Sequence, residues 1–480
     1  LKFGLCLITP WGHPSQTMPD RSRSPRGHGH STRIDVGLLG LGTVGSGTAE
    51  TLLKQRQLMR ERTGVDLVLK KAADLDINRK FDFEVPPGVL TTDAQEVLGD
   101  PDIKIVIELI GGTGIAKKFI ESALSSGKSV VTANKALLAK HGSELFDLAK
   151  KNGVDLFYEA SVAGGIPIIK ALREGLVANP IRSIHGILNG TCNYILTRME
   201  REGIAFDTVL KDAQQLGFAE AEPSLDIDGW DTAHKAVILA QLAFGGSYTV
   251  EEMRVKGIRG LAGQDVQYAA EFGYRIKLLA VLRRVGGKVE VSVEPTLIPR
   301  DHLLSKVDMS FNAVFVHGEV VEETMYYGRG AGRLPTASAV VADVADVARN
   351  MLLLPQCRAE RQDRNPLRRT ASGESVLKPH AEQCTRSYLR FEVRDVAGSL
   401  AKVTGILAQH SISILALTDF LRGRPLPGAA TAPTGGFVPV VILTGEAAAS
   451  DLDRAMEAIA GLPEVGPSLA RFRVENLRDP

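Results

Sequence analysis

Length, composition and charge limit the class of protein before any motif is considered. The chain has 480 residues and a net charge of +1, with 44% hydrophobic and 24% charged residues. It is too long for one ordinary core and suits two or three globular domains. Because the net charge is close to zero, the chain has no overall electrostatic field that would attract nucleic acid. No apolar run reaches the roughly 18 residues of a membrane span. We therefore expect neither a nucleic-acid partner nor a membrane.

Cysteine usage indicates the compartment. The four cysteines are scattered along the chain and form no CxxC pair. This pattern argues against a disulfide scaffold and against a zinc site, and it fits a reducing environment. We predict a cytoplasmic protein.

The first half of the chain alternates between strand and helix patterns. Residues 1–32 are rich in Pro, Ser, Arg, Gly and His without apolar periodicity, which predicts a disordered tail. From residue 33 onward, short apolar runs alternate with amphipathic helical stretches. This order predicts an α/β domain with a Rossmann-type, doubly wound parallel sheet over 33–160.

A glycine-rich turn follows the first predicted strand, and its residues are Gly40, Leu41, Gly42, Thr43, Val44 and Gly45. In a GxGxxG turn between strand and helix, the first glycine makes the tight turn and the second admits a pyrophosphate. The third lets the helix approach the strand. The positive end of the helix dipole then faces the phosphates. We predict a dinucleotide site; the alternative is a plain strand–helix turn.

The end of the second predicted strand bears on the choice of dinucleotide. Asp74 stands where a carboxylate would accept the ribose hydroxyls of NAD. Lys70 and Lys71 lie just before it and could instead meet a 2′-phosphate. A solvated strand end is the third interpretation, and the pattern leaves the three open.

Two later strand ends also point toward a ligand. Gly111 and Gly112 follow the strand predicted over 103–110, and Lys135 follows the strand over 129–132. Ligands of open parallel sheets bind outside the carboxyl ends of the strands. We expect both segments near the cofactor or substrate, where Lys135 could meet a substrate carboxylate. A surface lysine at a helix start is the alternative for Lys135.

A further strand end, EASVAGGIP, begins at Glu159 and leads to a helix. Its small residues and glycines expose backbone carbonyls. Together with one carboxylate, such carbonyls could hold a hard monovalent cation through oxygen ligands. An ordinary helix-entry loop is the alternative.

The stretch EAEPSLDIDGWDTAHK places five acidic residues before a lysine that opens an apolar helix. Asp231 and Lys235 are four residues apart, so they share one helix face in the favourable order. The apolar residues after Lys235 suggest that it lies at the edge of a buried site. There an ammonium can protonate an alkoxide that forms on a carbonyl carbon, while Glu220 and Asp226 can bind a substrate ammonium. A solvated acidic loop with a structural ion pair is the alternative.

The rest of the chain predicts two more folding units. The pattern over 161–354 is mixed α+β, and 355–385 is a polar, Arg-rich and aperiodic linker. Residues 386–475 then show a compact βαββα order, interrupted by a loop over 422–436 that is rich in Pro, Gly and Ala. We predict a small α+β domain at the C-terminal end.

Seven segments, taken in chain order, resemble homoserine dehydrogenase: GLGTVG, ELIGG, TANKALLA, EASVAGGIPII, HGILNGTCNYI, EAEPSLDIDGWDTAHK and YYGRGAGRLPTASAVVAD. The resemblance covers about residues 33–354 and implies a catalytic and dimerisation domain over 161–354. Residues 386–475 resemble an ACT domain, which has a βαββαβ fold. Its usual Asp-x-Pro-Gly turn reads Asp395-Val396-Ala397-Gly398 here, and its later loop is expanded.

The resemblance implies NAD(P)-dependent interconversion of L-aspartate 4-semialdehyde and L-homoserine, on the route to threonine and methionine. Lys235 would donate and accept the proton, Asp231 would orient it, and Lys135 would lie close to the reacting centre and the nicotinamide. Glu220 and Asp226 would hold the substrate amino group.

The resemblance also implies further ligand contacts. Gly330 and Gly332 would return to the cofactor. A sodium-type cation site maps to Glu159 and the backbone of Val162, Gly164 and Ile166. Family members that prefer NADP often carry Arg at the position of Ala73, so the choice between NAD and NADP stays open.

Regulation and assembly are expectations of the same resemblance. We expect threonine to bind the ACT domain and lower activity, and the subunits to form a homodimer or homotetramer. Two alternatives are weighed against this interpretation. A 2-hydroxyacid dehydrogenase of the phosphoglycerate type would need a late catalytic His with Arg and Glu partners, and no such set is found. A non-catalytic amino-acid sensor would not need the glycine turn or Lys235.

Overall fold

The computed structural model describes residues 32–353, 376–419 and 436–477. The tail predicted over 1–32 lies outside these ranges except for Thr32, which begins the first strand. Most of the predicted linker and of the 422–436 loop also lies outside them. Within the described ranges, no helix is long and apolar enough to cross a bilayer.

A parallel sheet of six strands forms the first part of the described chain. Its strands are β1 Thr32–Leu39, β2 Val65–Ala73, β3 Leu90–Thr91, β4 Ile103–Glu108, β5 Ser129–Thr132 and β6 Leu156–Phe157. Its helices are α1 Thr43–Lys54, α2 Arg56–Thr63, α3 Gln95–Leu98, α4 Ile115–Ser125 and α5 Lys135–Lys151. The spatial order is β3-β2-β1-β4-β5-β6, which confirms the predicted Rossmann-type sheet.

The central strands of this sheet are mainly apolar because helices cover both faces. In β4, for example, the neighbouring residues Val106 and Ile107 are fully buried on opposite faces. The carboxyl ends of β1, β4 and β5 consequently meet at one edge. That edge positions the glycine-rich loops described below.

A second, mixed sheet follows. Its strands before the C-terminal segment are β7 Ile181–Ile187, β8 Arg254–Val255, β9 Tyr274–Val285, β10 Lys288–Pro299, β11 Phe311–Gly318 and β12 Glu322–Arg329. The helices of this part are α6 Ile168–Lys170, α7 Gly190–Glu202, α8 Phe206–Gln215, α9 Ser224–Ile227, α10 Trp230–Phe244, α11 Gly263–Glu271 and α12 Arg333–Met351. α10 packs on β9 and β10 through a run of apolar side chains, so its first turn lies at the rim of this core.

The last helix of this part, α12, returns to the first sheet. Val340, Val344 and Val347 are buried in the core of the nucleotide-binding half. A Cβ on Gly47 of α1 would lie 2.5 Å from the carbonyl oxygen of Arg333, so the glycine allows α1 and α12 to touch. The spatial division therefore differs from the predicted linear boundary at residue 160, because α12 supplies apolar surface to a sheet formed long before it in the chain.

The C-terminal segment has a βαββαβ order. It comprises β13 Cys384–Arg394, α13 Ser399–Gln409, β14 Ile414–Asp419, β15 Phe437–Thr444, the short β16 Ala447–Ala448, α14 Ala449–Ala460 and β17 Val465–Val474. β17 pairs in parallel with β10, so both parts share one sheet in the order β12-β11-β7-β9-β10-β17-β13-β15-β14.

A buried ion pair strengthens this junction. Asp265 of α11 accepts a 2.8 Å hydrogen bond from the hydroxyl of Tyr388 and a 2.6 Å bond from Nε of Arg390. Asp265 and Arg390 are almost fully buried, and the planar guanidinium bonds both carboxylate oxygens. The C-terminal segment is therefore anchored to α11 by side chains as well as to β10 by strand pairing.

Candidate functional site

The glycine turn has the geometry that a dinucleotide requires. Gly40 has a φ of +94°, and a Cβ on Gly45 would lie 1.9 Å from the carbonyl oxygen of Gly40. A Cβ on Gly42 would meet no protein atom within 4 Å. Thus Gly40 makes the turn, Gly45 allows the helix to approach, and Gly42 leaves space for a ligand in front of α1.

Asp74 lies beside this turn. Its Oδ2 accepts the N–H of Leu41 at 2.5 Å, while Arg79 donates to the carbonyl of Leu41 at 2.7 Å. Lys70 and Lys71, the two lysines considered for a 2′-phosphate, are instead bonded to acidic side chains of α3 and of the turn before β4, at 2.7 to 3.0 Å. A cation that the sequence pattern did not indicate, Arg79, is therefore bonded directly to this turn.

The loop after β4 is shaped by a buried carboxylate. Glu108 accepts the N–H groups of Ile110 and Gly111 at 2.8 and 3.0 Å and the hydroxyl of Thr132 at 2.7 Å. Gly111 and Gly112 have φ of +82° and +74°, values that favour glycine. The loop therefore bends over the carboxyl edge of the sheet, as expected for a cofactor loop.

Lys235 is held at the rim of the α10 core. Its Nζ donates to Oδ2 of Asp231 and to the carbonyl oxygen of Leu188, each at 2.7 Å. The side chain of Lys235 is 11% exposed. Since an ammonium has three donors, one N–H remains for the cleft that Lys235 lines.

A second lysine meets the same carboxylate. Nζ of Lys135, at the start of α5, lies 3.2 Å from Oδ1 of Asp231. Burial opposes the ionisation of Asp231, but the charges of Lys235 and Lys135 hold its pKa well below the usual aspartate range. Asp231 is therefore an anion that fixes two ammonium groups side by side.

The pKa of the neighbouring Asp226 is shifted in the opposite direction to that of Asp231. Burial raises the pKa of Asp226, and the charge of Asp231 adds to this effect. A hydrogen bond of 2.7 Å from Nδ2 of Asn189 opposes the rise. The same Nδ2 donates to Oδ2 of Asp231 at 2.8 Å. One amide group thus bridges the two carboxylates.

The other acids of this stretch have different surroundings. Glu220 is exposed and lines the cleft together with Asp226. Asp228 instead pairs with Arg259 at 2.6 Å, and Glu222 bonds the backbone of Ser224. Only Glu220, Asp226 and Asp231 among the five acids line the cleft.

Two glycine loops close the side of the cleft. A Cβ on Gly164 would lie 2.4 Å from the carbonyl oxygen of Gly330, and the N–H of Gly165 donates to the carbonyl of Arg329 at 3.0 Å. Gly332 has a φ of +127° and precedes α12. The loop around Gly330 therefore packs against the loop around Gly164 through close backbone contact, and Gly164, Gly330 and Gly332 all line the cleft.

The predicted cation loop is tightly organised. Glu159 accepts the N–H groups of Ile169 and Lys170 at 2.9 and 2.8 Å, and burial raises its pKa to about 7. Val162 and Ile166 are buried beside it. Within the described residues, no cluster of three His, Cys, Asp or Glu side chains could hold a metal. A cation here would depend on backbone carbonyls, with Glu159 as the adjacent charge.

These elements surround two adjoining cavities. The larger has a volume of about 670 Å³ and is lined by Thr43, Val44, Lys135, Glu220, Asp226, Asp231, Lys235, Gly164, Gly330 and Gly332, among others. A second cavity of about 490 Å³ is lined by Gly40, Gly42 and Asp74. Gly45, Gly111, Gly112, Glu159, Val162 and Ile166 support the loops without lining either cavity.

Three residues of the site went without an assigned role in the sequence analysis. Asn189 lies within the segment HGILNGTCNYI, and its signal was an asparagine directly before a helix start. Arg79 carries no local pattern, and Glu108 looks like the polar end of a strand. Their roles depend on tertiary contacts.

Comparison with known proteins agrees with this geometry. The family model described as homoserine dehydrogenase matches residues 167–345, and the model of its NAD binding domain matches residues 40–159. Homoserine dehydrogenase of Neisseria gonorrhoeae is 43% identical, over 93% of this chain and 99% of its own.

Solved structures are similar as well. A homoserine dehydrogenase from Thiobacillus denitrificans shares 43% identity with a TM-score of 0.84, covering 93% of this chain and 99% of its own. A hyperthermophilic archaeal homoserine dehydrogenase in complex with NADPH shares 29% identity with a TM-score of 0.56, covering 66% of this chain and 98% of its own. The chain belongs to the homoserine dehydrogenase family of oxidoreductases.

Proposed function

We propose that this oxidoreductase interconverts L-homoserine and L-aspartate 4-semialdehyde with NAD or NADP, and that Lys235 carries the proton. The observation that carries the proposal is the single cleft in which Lys235 and Asp231 face the cofactor turn at Thr43 and Val44. When bound, the nicotinamide supplies or removes the hydride at the reacting carbon.

Lys235 is prepared for proton transfer in both directions. Its bonds to Asp231 and Leu188 fix the direction of the remaining N–H. During reduction, that N–H donates its proton to the oxygen of the aldehyde as negative charge develops there. During oxidation, the neutral amine accepts the hydroxyl proton of homoserine. This direction should therefore accelerate toward alkaline pH.

Lys135 complements this role from the nucleotide-binding half. It lines the same cleft and shares Asp231, but its side chain is 38% exposed. We assign it to the substrate carboxylate and to the developing charge at the reacting oxygen. Because the two lysines come from different halves of the molecule, Asp231 connects cofactor binding to the proton donor.

The substrate ammonium is assigned to Glu220 and Asp226. Both carboxylates line the same cleft as Thr43 and Val44 of the glycine turn. Charged hydrogen bonds contribute about 1.5–3 kcal/mol each when buried. Asp226 is the stronger candidate for this contribution because it is less exposed than Glu220.

For the cofactor, we propose that Arg79 contacts a 2′-phosphate when NADP is bound. Its guanidinium lies at the carbonyl of Leu41, next to Asp74, while Lys70 and Lys71 are occupied by acids. Asp74 serves the ribose of NAD. The archaeal relative solved with NADPH supports the use of NADP within the family.

A monovalent cation such as Na⁺ is proposed at the Glu159 loop, held by carbonyls of Val162, Gly164 and Ile166. Because burial raises the pKa of Glu159 to about 7, its charge is present above this pH and is lost below it. Replacing a bulky organic cation by Na⁺ should raise the melting temperature, and more so above pH 7 than below it. Equal melting temperatures in both salts would exclude the site.

The C-terminal segment is proposed to be an ACT domain that binds threonine, at a contact between subunits of a homodimer or homotetramer in the cytoplasm. Its βαββαβ order and the turn at Gly398, which has a φ of +90°, support this. Threonine should inhibit the full chain, with serine as a control. Gly398→Val should reduce inhibition and leave uninhibited turnover unchanged. Equal inhibition of both forms would contradict the assignment.

The proposed reaction is tested directly by absorbance at 340 nm. Homoserine is supplied with NAD or NADP, and aspartate semialdehyde with the reduced forms. The expected result is reversible turnover with at least one cofactor. Oxidation of a 2-hydroxy acid in place of homoserine would contradict the proposal.

A further inference from the structure

Asn189 occupies the centre of the acidic side of the cleft. It is 5% exposed, and its Nδ2 donates to Oδ1 of Asp226 and to Oδ2 of Asp231 at 2.7 and 2.8 Å. The amide has two N–H donors, so both are used. The carboxylate proposed for substrate binding and the carboxylate that orients Lys235 are therefore joined through one side chain.

The orientation of this amide is determined by the backbone. Asn189 is the N-cap of α7, and its Oδ1 accepts the N–H of Cys192 at 2.8 Å. The reverse orientation would direct Oδ1 at two carboxylates and the NH₂ group at an N–H donor. The helix start thus forces the donors toward the acids.

The residue before Asn189, Leu188, contacts Lys235. The carbonyl of Leu188 accepts a hydrogen bond from Lys235, and Lys235 and Asn189 share Oδ2 of Asp231. The Leu188–Asn189 pair thus contacts the proton donor and both acids. A shift of this short segment would move all three.

We infer that Asn189 is a positioning residue, which keeps Asp226 and Asp231 ionised and at a fixed separation so that the substrate ammonium and Lys235 are aligned. This inference rests on the proposed function, because it uses the roles given there to Asp226 and Lys235. Asn189 itself is assigned no contact with the reacting atoms or with the cofactor.

The charges around Asp226 show why a bridge is needed. Asp231 faces it from α10 and Glu220 lines the same cleft, while Lys235 and Lys135 supply the opposing charge. The thiol of Cys192 donates to the backbone of Asp226. Two carboxylates in one partly buried site favour protonation of one of them. The neutral donor of Asn189 lowers this tendency without adding a charge.

Two substitutions distinguish a role of Asn189 in positioning the two carboxylates from a role only as the N-cap of α7. Asn189→Asp and Asn189→Ser both keep a strong N-cap, but neither can bond both carboxylates. The Asp variant adds a negative charge, whereas the Ser variant does not. If Asn189 only capped α7, both variants would keep the KM for homoserine and its dependence on pH.

We expect KM for homoserine to rise roughly tenfold or more in both variants, from the loss of a charged hydrogen bond. The pH below which KM rises should move upward, further for Asp than for Ser. Asn193→Ser is the matched control: Asn193 is 2% exposed on the same helix and bonds Val307 and Phe311. Its change should lower the melting temperature without moving the pH dependence.

A second measurement does not depend on turnover. Melting temperatures are compared for the full chain, Asn189→Ser, Asp226→Asn and the double variant. If Asn189 positions Asp226, the change in melting temperature of the double variant should differ from the sum of the two single changes at alkaline pH. This difference should disappear on acidification, when Asp226 is protonated. Additive shifts at every pH would overturn the inference. Inactivity of the unaltered protein toward homoserine, combined with non-additive shifts, would instead overturn the proposed function and leave the bridging role supported.

Discussion

Two helices begin at the same cleft, and their first turns differ. α1 begins after Gly42 with no acidic residue in its first turn and no side chain capping it. α10 begins after Gly229 and carries Asp231 in its first turn. The positive end of α1 suits an anionic ligand, whereas that of α10 already holds the protein's own carboxylate.

This difference separates binding from chemistry. At the start of α1, backbone N–H groups and empty space are available to a ligand. Adding side-chain atoms there should therefore weaken cofactor binding. At the start of α10, the charged side chains Asp231 and Lys235 carry the proposed function. Removing these charges should therefore impair proton transfer. Substitutions at the two helix starts should consequently change different kinetic constants.

The largest effect is expected at α10. Lys235→Met removes the transferable proton and preserves most of the side-chain volume. Turnover should fall by about 10²–10⁴-fold in both directions. Stopped-flow or steady-state absorbance at 340 nm provides the measurement.

Lys128→Met is the matched control for this change. Lys128 is also a buried lysine, 5% exposed, and it donates to the carbonyl of Ile103 at 2.9 Å, away from the cleft. We expect lower thermal stability but normal turnover per folded enzyme. Near-normal turnover of Lys235→Met would contradict the role of Lys235.

The next effect concerns Asp226. Asp226→Asn should raise KM for homoserine roughly ten- to hundredfold, because a charged hydrogen bond is worth about 1.5–3 kcal/mol. Since burial raises the pKa of Asp226, its charge is lost at a higher pH than in an exposed aspartate. KM of the unaltered protein should therefore rise on acidification. The variant should lack this rise, and a KM that rises in parallel with the unaltered protein would contradict the assignment.

A pair of glycines distinguishes binding from folding at α1. Gly42→Ala adds a methyl group where no protein atom lies within 4 Å, so KM for the cofactor should rise roughly tenfold with little change in melting temperature. Gly45→Ala places the methyl group 1.9 Å from the carbonyl oxygen of Gly40, so melting temperature should fall as well. Equal decreases in melting temperature for the two variants would contradict the different roles assigned to Gly42 and Gly45.

The smallest effect is expected at Arg79. Arg79→Ala removes an exposed charge, for which about 0.2–1 kcal/mol is typical. The preference for NADP over NAD should fall by roughly two- to fivefold in kcat/KM. Lys71→Ala is the control, because Lys71 is bonded to Glu96 at 2.7 Å. An unchanged ratio in the Arg79 variant, or an equal change in the control, would argue against the 2′-phosphate contact.

The features that the sequence predicted well are local ones. The turn from Gly40 to Gly45 and the pair Asp231–Lys235 are defined by spacing within one strand–helix turn or one helix. The contacts that complete them are not local. Leu188 meets Lys235 across 47 residues, and Asn189 meets Asp231 across 42. Periodicity carries no information about which distant segments meet.

The domain architecture shows the same limit. Alternation of strand and helix predicts the first sheet, but it does not show that α12 completes the core of that sheet. Similarly, the compact pattern after residue 386 suggested a separate unit, whereas β17 pairs with β10. An apolar helix face or a strand edge can be covered by any suitable partner, and the linear pattern does not specify which.

The pairing of β17 with β10 affects the order in which the molecule can be built. During synthesis, Thr296 and Leu297 of β10 lack this partner until Arg473 and Val474 of β17 have left the ribosome. Unpaired edges promote association with other chains, and contacts between distant residues form slowly. A chain that stops before β17 therefore exposes this part of the β10 edge, and β17 protects it from pairing with other chains.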